Sequence, residues 1–170
     1  MEKLFQRRKI FFLLSLLLFW PGKLVINNPV CPNQESRVIV LAKSHKLFLC
    51  EDSKVIKAYD VRLAQKGIGK KKAGDKKLPI GVYNLGTPRK SEQFGIFIPV
   101  GYPNTQERNQ GYTGGSIGIH GPIRWARFLG SLVNWFDTTR GCIGIASDEE
   151  MKEISDWMSK AKASVVEIKK

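Results

Sequence analysis

The chain has 170 residues, of which 42% are hydrophobic; that is enough for one domain with its own core and too apolar for a disordered polypeptide. Its formal charge of +13 excludes an acidic surface and favours polyanionic surroundings, whether nucleic acid, acidic lipid or anionic wall polymer. With only two histidines and no Cys-x-x-Cys step, the chain lacks the ligand set of a structural zinc site.

Arg7-Arg8-Lys9 precedes an apolar run over residues 10–20, which breaks at Pro21-Gly22. A basic flank followed by an apolar run 11 residues long has the layout of a secretory leader and is short beside the about 20 residues of a membrane span. No A-x-A step follows the run, so the segment reads as a cleaved signal peptide or as a retained N-terminal anchor. A buried N-terminal helix is the competing reading, against which the basic flank argues. Export to the cell envelope is expected, periplasmic or otherwise extracytoplasmic, with membrane contact through this segment alone. Residues 21–36 carry Pro and Asn and read as a linker. The expected organisation is therefore leader and linker over 1–36 and one folded domain over 37–170.

From Arg37 the pattern turns to strand. Residues 37–43 (RVIVLAK) and 46–51 (KLFLCE) are short apolar runs joined at Ser44-His45, which predicts a hairpin. Residues 55–63 (VIKAYDVRL) alternate and predict a third strand. Residues 64–78 show no periodicity and hold six lysines and one acid, Asp75, so they read as a basic loop. Short strands are expected over 81–85 and 95–100. Residues 101–115, with Gly, Pro, Asn, Gln and Tyr, read as an irregular surface segment. Residues 116–120 (SIGIH) predict a strand ending in a histidine, and 142–145 (CIGI) a buried strand starting with a cysteine. Ser147 with Glu150 three positions on has the form of a capping box. Met151, Ile154, Met158 and Ala161 then recur at helical spacing, with Trp157 beside them, and read as core. A second helix is expected around 125–135 and a closing strand over 164–168. The fold class is mainly β with one or two helices (α+β).

Two local signals carry chemistry: Ile119-His120-Gly121 ending one apolar strand, and Thr139-Arg140-Gly141-Cys142-Ile143 entering another, with the histidine and cysteine 22 residues apart. A free thiol is only a few per cent thiolate at neutral pH. A histidine within hydrogen-bond reach takes its proton and later returns it to a leaving amine. Glycine before the nucleophile lets a carbonyl approach the backbone, where N–H groups can hold an oxyanion. Cys50, in an apolar strand, reads as a buried small hydrophobe, and His45 as an exposed turn residue. From its strand alone, His120 is equally a core histidine. An odd cysteine count leaves at least one thiol unpaired or joined to another molecule; a reactive Cys142 with an optional Cys31–Cys50 bridge fits that count.

The pair of signals resembles the signature of L,D-transpeptidase (YkuD-type) catalytic domains. Upstream stretches agree with that resemblance: Lys72-Ala73-Gly74-Asp75, then Leu78-Pro79-Ile80-Gly81-Val82-Tyr83, then Gly101-Tyr102-Pro103-Asn104. The likeness runs from about Arg37 to Lys170, and no one piece carries it; four in the right order do. It implies a single YkuD-type domain in which Cys142 is the acyl-accepting nucleophile and His120 the general acid and base. By the same resemblance, the Gly121 carbonyl orients the imidazole, and Thr139, Gly141 and the Cys142 N–H line the oxyanion region. Tyr102 and Arg140 are implied substrate contacts, Arg140 also as a cation favouring the thiolate or simply as a solvated charge. No metal or organic cofactor is implied. The implied partners are peptidoglycan stem peptides and anionic wall polymer; nucleic acid is disfavoured, because the basic loop lacks interleaved aromatics for stacking.

The chain also departs from the family pattern. Arg140 stands where most members carry a second histidine, Gly144 stands where Arg or Asn is common, and the His-to-Cys interval is long and holds Trp125, Trp135 and Phe136. These features resemble the murein transpeptidase-like branch that includes envelope hydrolases. They leave three expectations in competition: transpeptidase, hydrolase (L,D-carboxypeptidase or endopeptidase) with the same Cys–His pair, and a non-catalytic basic envelope-binding module.

Overall fold

The computed structural model describes residues 28–124 and 138–170. The expected leader over 10–20 and the expected helix around 125–135 lie outside the described residues.

Three strands open the domain: β1 (Arg37–Leu41), β2 (Lys46–Glu51) and β3 (Lys54–Arg62). The turn at His45, with φ of +52°, reverses the chain between the first two. Neither β1 nor β2 alternates in sequence, because both of their faces are covered. One face joins the main core around Val38, Val40, Leu47 and Leu49. The other carries a small cluster of Ile39, Phe48, Cys31 and Cys50, in which Cys31 and Cys50 form a disulfide across 19 residues. The Cys50 side chain is fully buried.

The remaining strands are β4 (Gly81–Asn84), β5 (Arg89–Ser91), β6 (Gly95–Pro99), β7 (Gly118–His120), β8 (Ile143–Ile145) and β9 (Val165–Lys169). Among the described residues they form one sheet in the order β4-β9-β1-β2-β3-β8-β7-β6-β5. Long β3 joins its two halves, pairing with β2 along most of its length and with β8 at its end. The sheet curls until Leu85, beyond β4, bridges Val100, beyond β6, making a half-barrel. Helix α2 (Asp148–Ala161) packs on β6 and β8 and buries Met151, Ile154 and Met158. Its N-cap Ser147 accepts the Glu150 N–H at 3.1 Å, as the Ser-x-x-Glu spacing predicts. Trp157 is partly buried against the core, with its indole N–H on Glu51.

Two elements depart from the sequence expectations. Residues 101–115 are not wholly irregular: α1 (Thr105–Asn109) sits among them under a full capping box, Asn104 accepting the Glu107 N–H and the Glu107 carboxylate accepting the Asn104 N–H. It buries no residue, so it leaves no apolar periodicity, and its sole signal is the cap. The edge strand β5 also went unpredicted, since Arg-Lys-Ser carries no strand pattern and is held only by pairing with β6. No helix among the described residues is long and apolar enough to cross a membrane.

The disulfide lies on the sheet face away from the main core, so its loss should cost stability without touching the site described below. Replacing Cys31 and Cys50 by alanine is expected to lower the unfolding free energy by about 3 kcal/mol, the loop-closure scale for a bridge of this span. Urea denaturation measures the loss, while the alkylation rate of Cys142 stays unchanged.

Candidate active site

The ends of β3, β8 and β7 lie side by side. Arg62 pairs with Gly144, and Gly144 pairs with His120 across the parallel β7–β8 ladder. One row therefore runs Arg62, Gly144, His120, and continues to Phe97 on β6 and Arg89 on β5. Cys142 stands one residue before β8, and it opens into the same cleft as His120, Arg62, Arg89, Phe97 and Arg140. The cleft has a volume of about 690 Å³, within the range of peptide and small-molecule sites. Its described lining holds three arginines and no carboxylate.

His120 is 4% exposed, stacked on Phe94 with ring centroids 3.9 Å apart. Its Nδ1 lies 2.8 Å from the Gly121 carbonyl oxygen. A carbonyl only accepts, so Nδ1 carries the hydrogen and Nε2 holds the free lone pair. Burial pushes the imidazole down to about 4; the Gly121 carbonyl opposes that shift and the charge of Arg62 adds to it. Gly121 must be small, because a Cβ there would stand 2.9 Å from the Phe94 carbonyl oxygen.

Cys142 is half-buried, and it is the free cysteine among the described residues. Its Sγ donates to the Ser116 carbonyl at 3.5 Å. Burial pushes the thiol up, against the Gly118 N–H and the nearby Lys70 charge, which pull it down. The resting pair at neutral pH is therefore thiol and neutral imidazole rather than an ion pair, since burial disfavours the charged form of each.

The turn before the cysteine is held from two sides. The Thr139 hydroxyl donates to the Cys142 carbonyl at 2.6 Å and accepts the Gly141 N–H at 3.4 Å. Backbone bonds from Thr139 N–H to Leu63 and from Gln65 N–H to the Thr139 carbonyl tie this turn to the end of β3. Gly141 has φ of +133°, and a Cβ there would meet Ile117 Cδ1 at 2.9 Å and the Lys77 carbonyl oxygen at 3.0 Å. Arg140 is exposed at the cleft edge. Tyr102 is not brought to this cleft: it is buried, with its hydroxyl on the Lys70 carbonyl and its ring edge-on to Tyr83. Sequence reasoning missed Arg62, which reads in the chain as the last residue of an alternating strand. No cluster of three His, Cys, Asp or Glu among the described residues is placed to hold a metal.

The basic loop is organised by its one acid. Asp75 accepts the Lys70 ammonium at 2.8 Å and the N–H groups of Lys71, Lys72 and Lys77. Burial raises its carboxyl, but Lys70 and the three N–H groups hold it far below the usual carboxylate range.

A half-barrel of this topology, with a Gly-Cys turn facing a carbonyl-anchored histidine, agrees with a sequence match over residues 35–168 to the model of the L,D-transpeptidase catalytic domain, YkuD. The chain belongs to the YkuD L,D-transpeptidase family. Among solved structures, the helical cell shape determining protein Pgp2 from Campylobacter jejuni is similar at 27% identity and a TM-score of 0.63, over 83% of this chain and 51% of that one. Bd1075 from Bdellovibrio bacteriovorus shares the fold at 20% identity and a TM-score of 0.57, over 80% and 48%. An L,D-transpeptidase from Enterococcus faecium, as its C442S mutant, shares the fold at 14% identity and a TM-score of 0.51, over 80% and 50%. This YkuD chain thus spans about half the length of each of those structures. No curated protein matches its sequence.

Two measurements follow. Gly141→Ala places a side chain in the left-handed region against backbone and should cost at least about 2 kcal/mol, read by denaturant unfolding. Acid should destabilise the domain in two separate windows. His120 is depressed in the folded state, so the unfolded chain binds its proton first and stability falls as pH drops from about 6.5 towards about 4. Asp75 is also depressed, so its contribution is complete above about 3.9 and is lost below it. His120→Gln should flatten the upper window and Asp75→Asn the lower one, in thermal melts taken across the range.

Proposed function

We propose that this domain catalyses cysteine-dependent acyl transfer on peptidoglycan stem peptides in the cell envelope. Cys142 Sγ attacks the carbonyl carbon at the L-centre of a diamino acid, and His120 Nε2 takes the thiol proton as the bond forms. The tetrahedral oxyanion is held by the Cys142 N–H, on the turn that Thr139 and Gly141 shape. Collapse expels a D-amino acid, whose amine receives the proton from Nε2, and leaves a thioester on Cys142. An acceptor amine then attacks the thioester, gives its proton to Nε2, and the thiol is restored as the new amide forms. No metal or organic cofactor enters these steps.

The observation that supports this reading most is the imidazole itself. It is neutral at working pH, tied through Nδ1 to a carbonyl, with Nε2 left as base, and it lines one cleft with the free thiol. Family membership supports the substrate class, and likeness to a helical cell shape determining protein supports a role in shaping the wall. Envelope location rests on the same membership and on the basic-then-apolar N-terminus.

A second reading replaces the acceptor amine by water, giving an L,D-carboxypeptidase or endopeptidase. It is favoured by the departures from the family pattern at Arg140, exposed at the cleft edge, and at Gly144. Incubation with purified peptidoglycan fragments separates the two by mass spectrometry: cross-linked products mark a transferase, shortened peptides a hydrolase. Either way Cys142→Ala should abolish turnover, and His120→Ala should slow acylation by roughly 10² to 10⁴. A slow acyl donor should leave a thioester mass on Cys142. Full activity in Cys142→Ala would end both readings. Wall binding that is salt-sensitive and survives in that variant, with no turnover in the parent, would make the domain a binding module that uses the exposed Lys66, Lys71 and Lys72.

A further inference from the structure

The least expected side chain in the cleft is Arg62. It is 4% exposed, and two of its guanidinium nitrogens, Nε and Nη2, are buried without any hydrogen-bond partner. The third, Nη1, makes one long bond to the Thr138 hydroxyl at 3.4 Å. No carboxylate among the described residues lines the cleft beside it, and a buried cation with unsatisfied donors destabilises a fold. Arg62 also dictates the residue opposite. A Cβ on Gly144 would stand 3.1 Å from Nη2 and 3.2 Å from Cζ and Nε, so the guanidinium lies in the space a side chain at 144 would fill. Gly144 is in turn the neighbour of His120 across the β7–β8 ladder. The row thus carries a fixed positive charge over a bare glycine and directs it at the imidazole.

We propose that Arg62 is a positioning residue of the site, a buried charge lying over Gly144 beside the ring, which keeps the His120 imidazole in its free-base form under acid conditions. Addition of a proton to Nε2 would place a second cation beside the guanidinium in a poorly solvated pocket, which like-charge repulsion opposes. Among the described residues, the other groups around the ring do not provide this effect. Phe97 of β6 and Phe94 are uncharged and stacked on it. Arg89 of β5 lies over Phe97 rather than the imidazole, and Arg140 is exposed to solvent. The Asp148 carboxylate of α2 stands near Gly121 and would favour the imidazolium. Cys142, before β8, is a neutral thiol at rest. Burial already lowers the ring, and the Arg62 charge lowers it further.

The inference rests on His120 serving as the base, but its test needs no substrate. The chain has two histidines, so imidazole carbon-bound protons can be titrated by NMR with His45 as an internal reference. In Arg62→Met the His120 titration should move upward, towards the ordinary imidazole range but short of it, because burial remains. Arg62→Lys should stay near the parent. Gly144→Ala, which pushes the guanidinium aside without removing its charge, should move the titration in the same direction as Arg62→Met and by less. Thermal melts should show Arg62→Met at least as stable as the parent, since an unpaired buried charge has been exchanged for an apolar chain of similar length. An unmoved His120 titration in Arg62→Met and in Gly144→Ala overturns the proposal. So does a lysine variant that titrates like the methionine one. A fall in melting temperature with an unmoved titration would make Arg62 a packing element, which also overturns it. A moved titration in a protein that fails to acylate peptidoglycan fragments leaves this inference standing and removes the enzymatic one.

Discussion

The site depends on a parallel pairing of two strands of only three residues each, Ile119 against Ile143 and His120 against Gly144. Strands this short contribute few ladder bonds, so their register has to come from what surrounds them. Ile119, Ile143 and Ile145 are fully buried, and a one-residue slip would turn them out of the core. Glycine then lets the sheet close down. A Cβ on Gly118 would lie 2.3 Å from the Phe97 ring and 2.7 Å from the Ile98 carbonyl, so β6 can approach β7 only because that side chain is missing. Gly144 does the same for Arg62 on the other flank. The alternation Gly-Ile-His and Cys-Ile-Gly therefore puts large apolar groups on the core face. On the other face it sets small residues beside one histidine and one cysteine.

Burial is the second physical fact about this cleft, and it acts on the thiol and the imidazole in opposite directions. It raises the thiol and lowers the imidazole, so both groups resist ionisation. Local cations modify this unequally. Lys70 assists the thiolate and Arg62 opposes the imidazolium. Arg62 closes β3 and Lys70 lies in the basic loop that follows it, so one stretch of chain biases both groups. In the proposed reaction, proton transfer would be driven by the oxyanion and its donors rather than by a preformed ion pair.

Most of the sheet was legible because its strands are apolar runs bounded by turn residues, and β2 was read with the same ends it has in three dimensions. The helix over 148–161 was legible from Ser147 and from the spacing of Met151, Ile154 and Met158. What could not be read was structure with no apolar signature. Helix α1 rests on the exchange between Asn104 and Glu107, and β5 on pairing alone. Cys142 stood out because Thr-x-Gly-Cys is more polar and more hinged than a core strand needs, and His120 through the resemblance of the paired motifs; the fold brings both into one cleft. Arg62 was hidden for the opposite reason. Charged residues are common at the end of an alternating strand, and only the three-strand register reveals that this one turns inward over a glycine. Tyr102 was named through the resemblance of its Tyr-Pro-Asn step, and its pattern did not show that its hydroxyl is spent on the Lys70 carbonyl inside the core.

The basic loop changes character once its geometry is known. As sequence it is a lysine-rich tether whose only evident property is charge. As structure it is a compact turn wound around Asp75, with Lys70 drawn inward by an ion pair at 2.8 Å and with Lys66, Lys71 and Lys72 left outside. Its inner edge forms part of the wall against which the Cys142 turn is built, since the Lys77 carbonyl is one of the two groups that forbid a side chain at Gly141. The Lys70 backbone carbonyl, through the Tyr102 hydroxyl, anchors the same loop to the core. The loop therefore carries two separable roles. Its outer lysines are screened by salt like any exposed charge. Its Asp75–Lys70 centre is largely shielded from that screening, and its inner edge packs against the Gly141 turn.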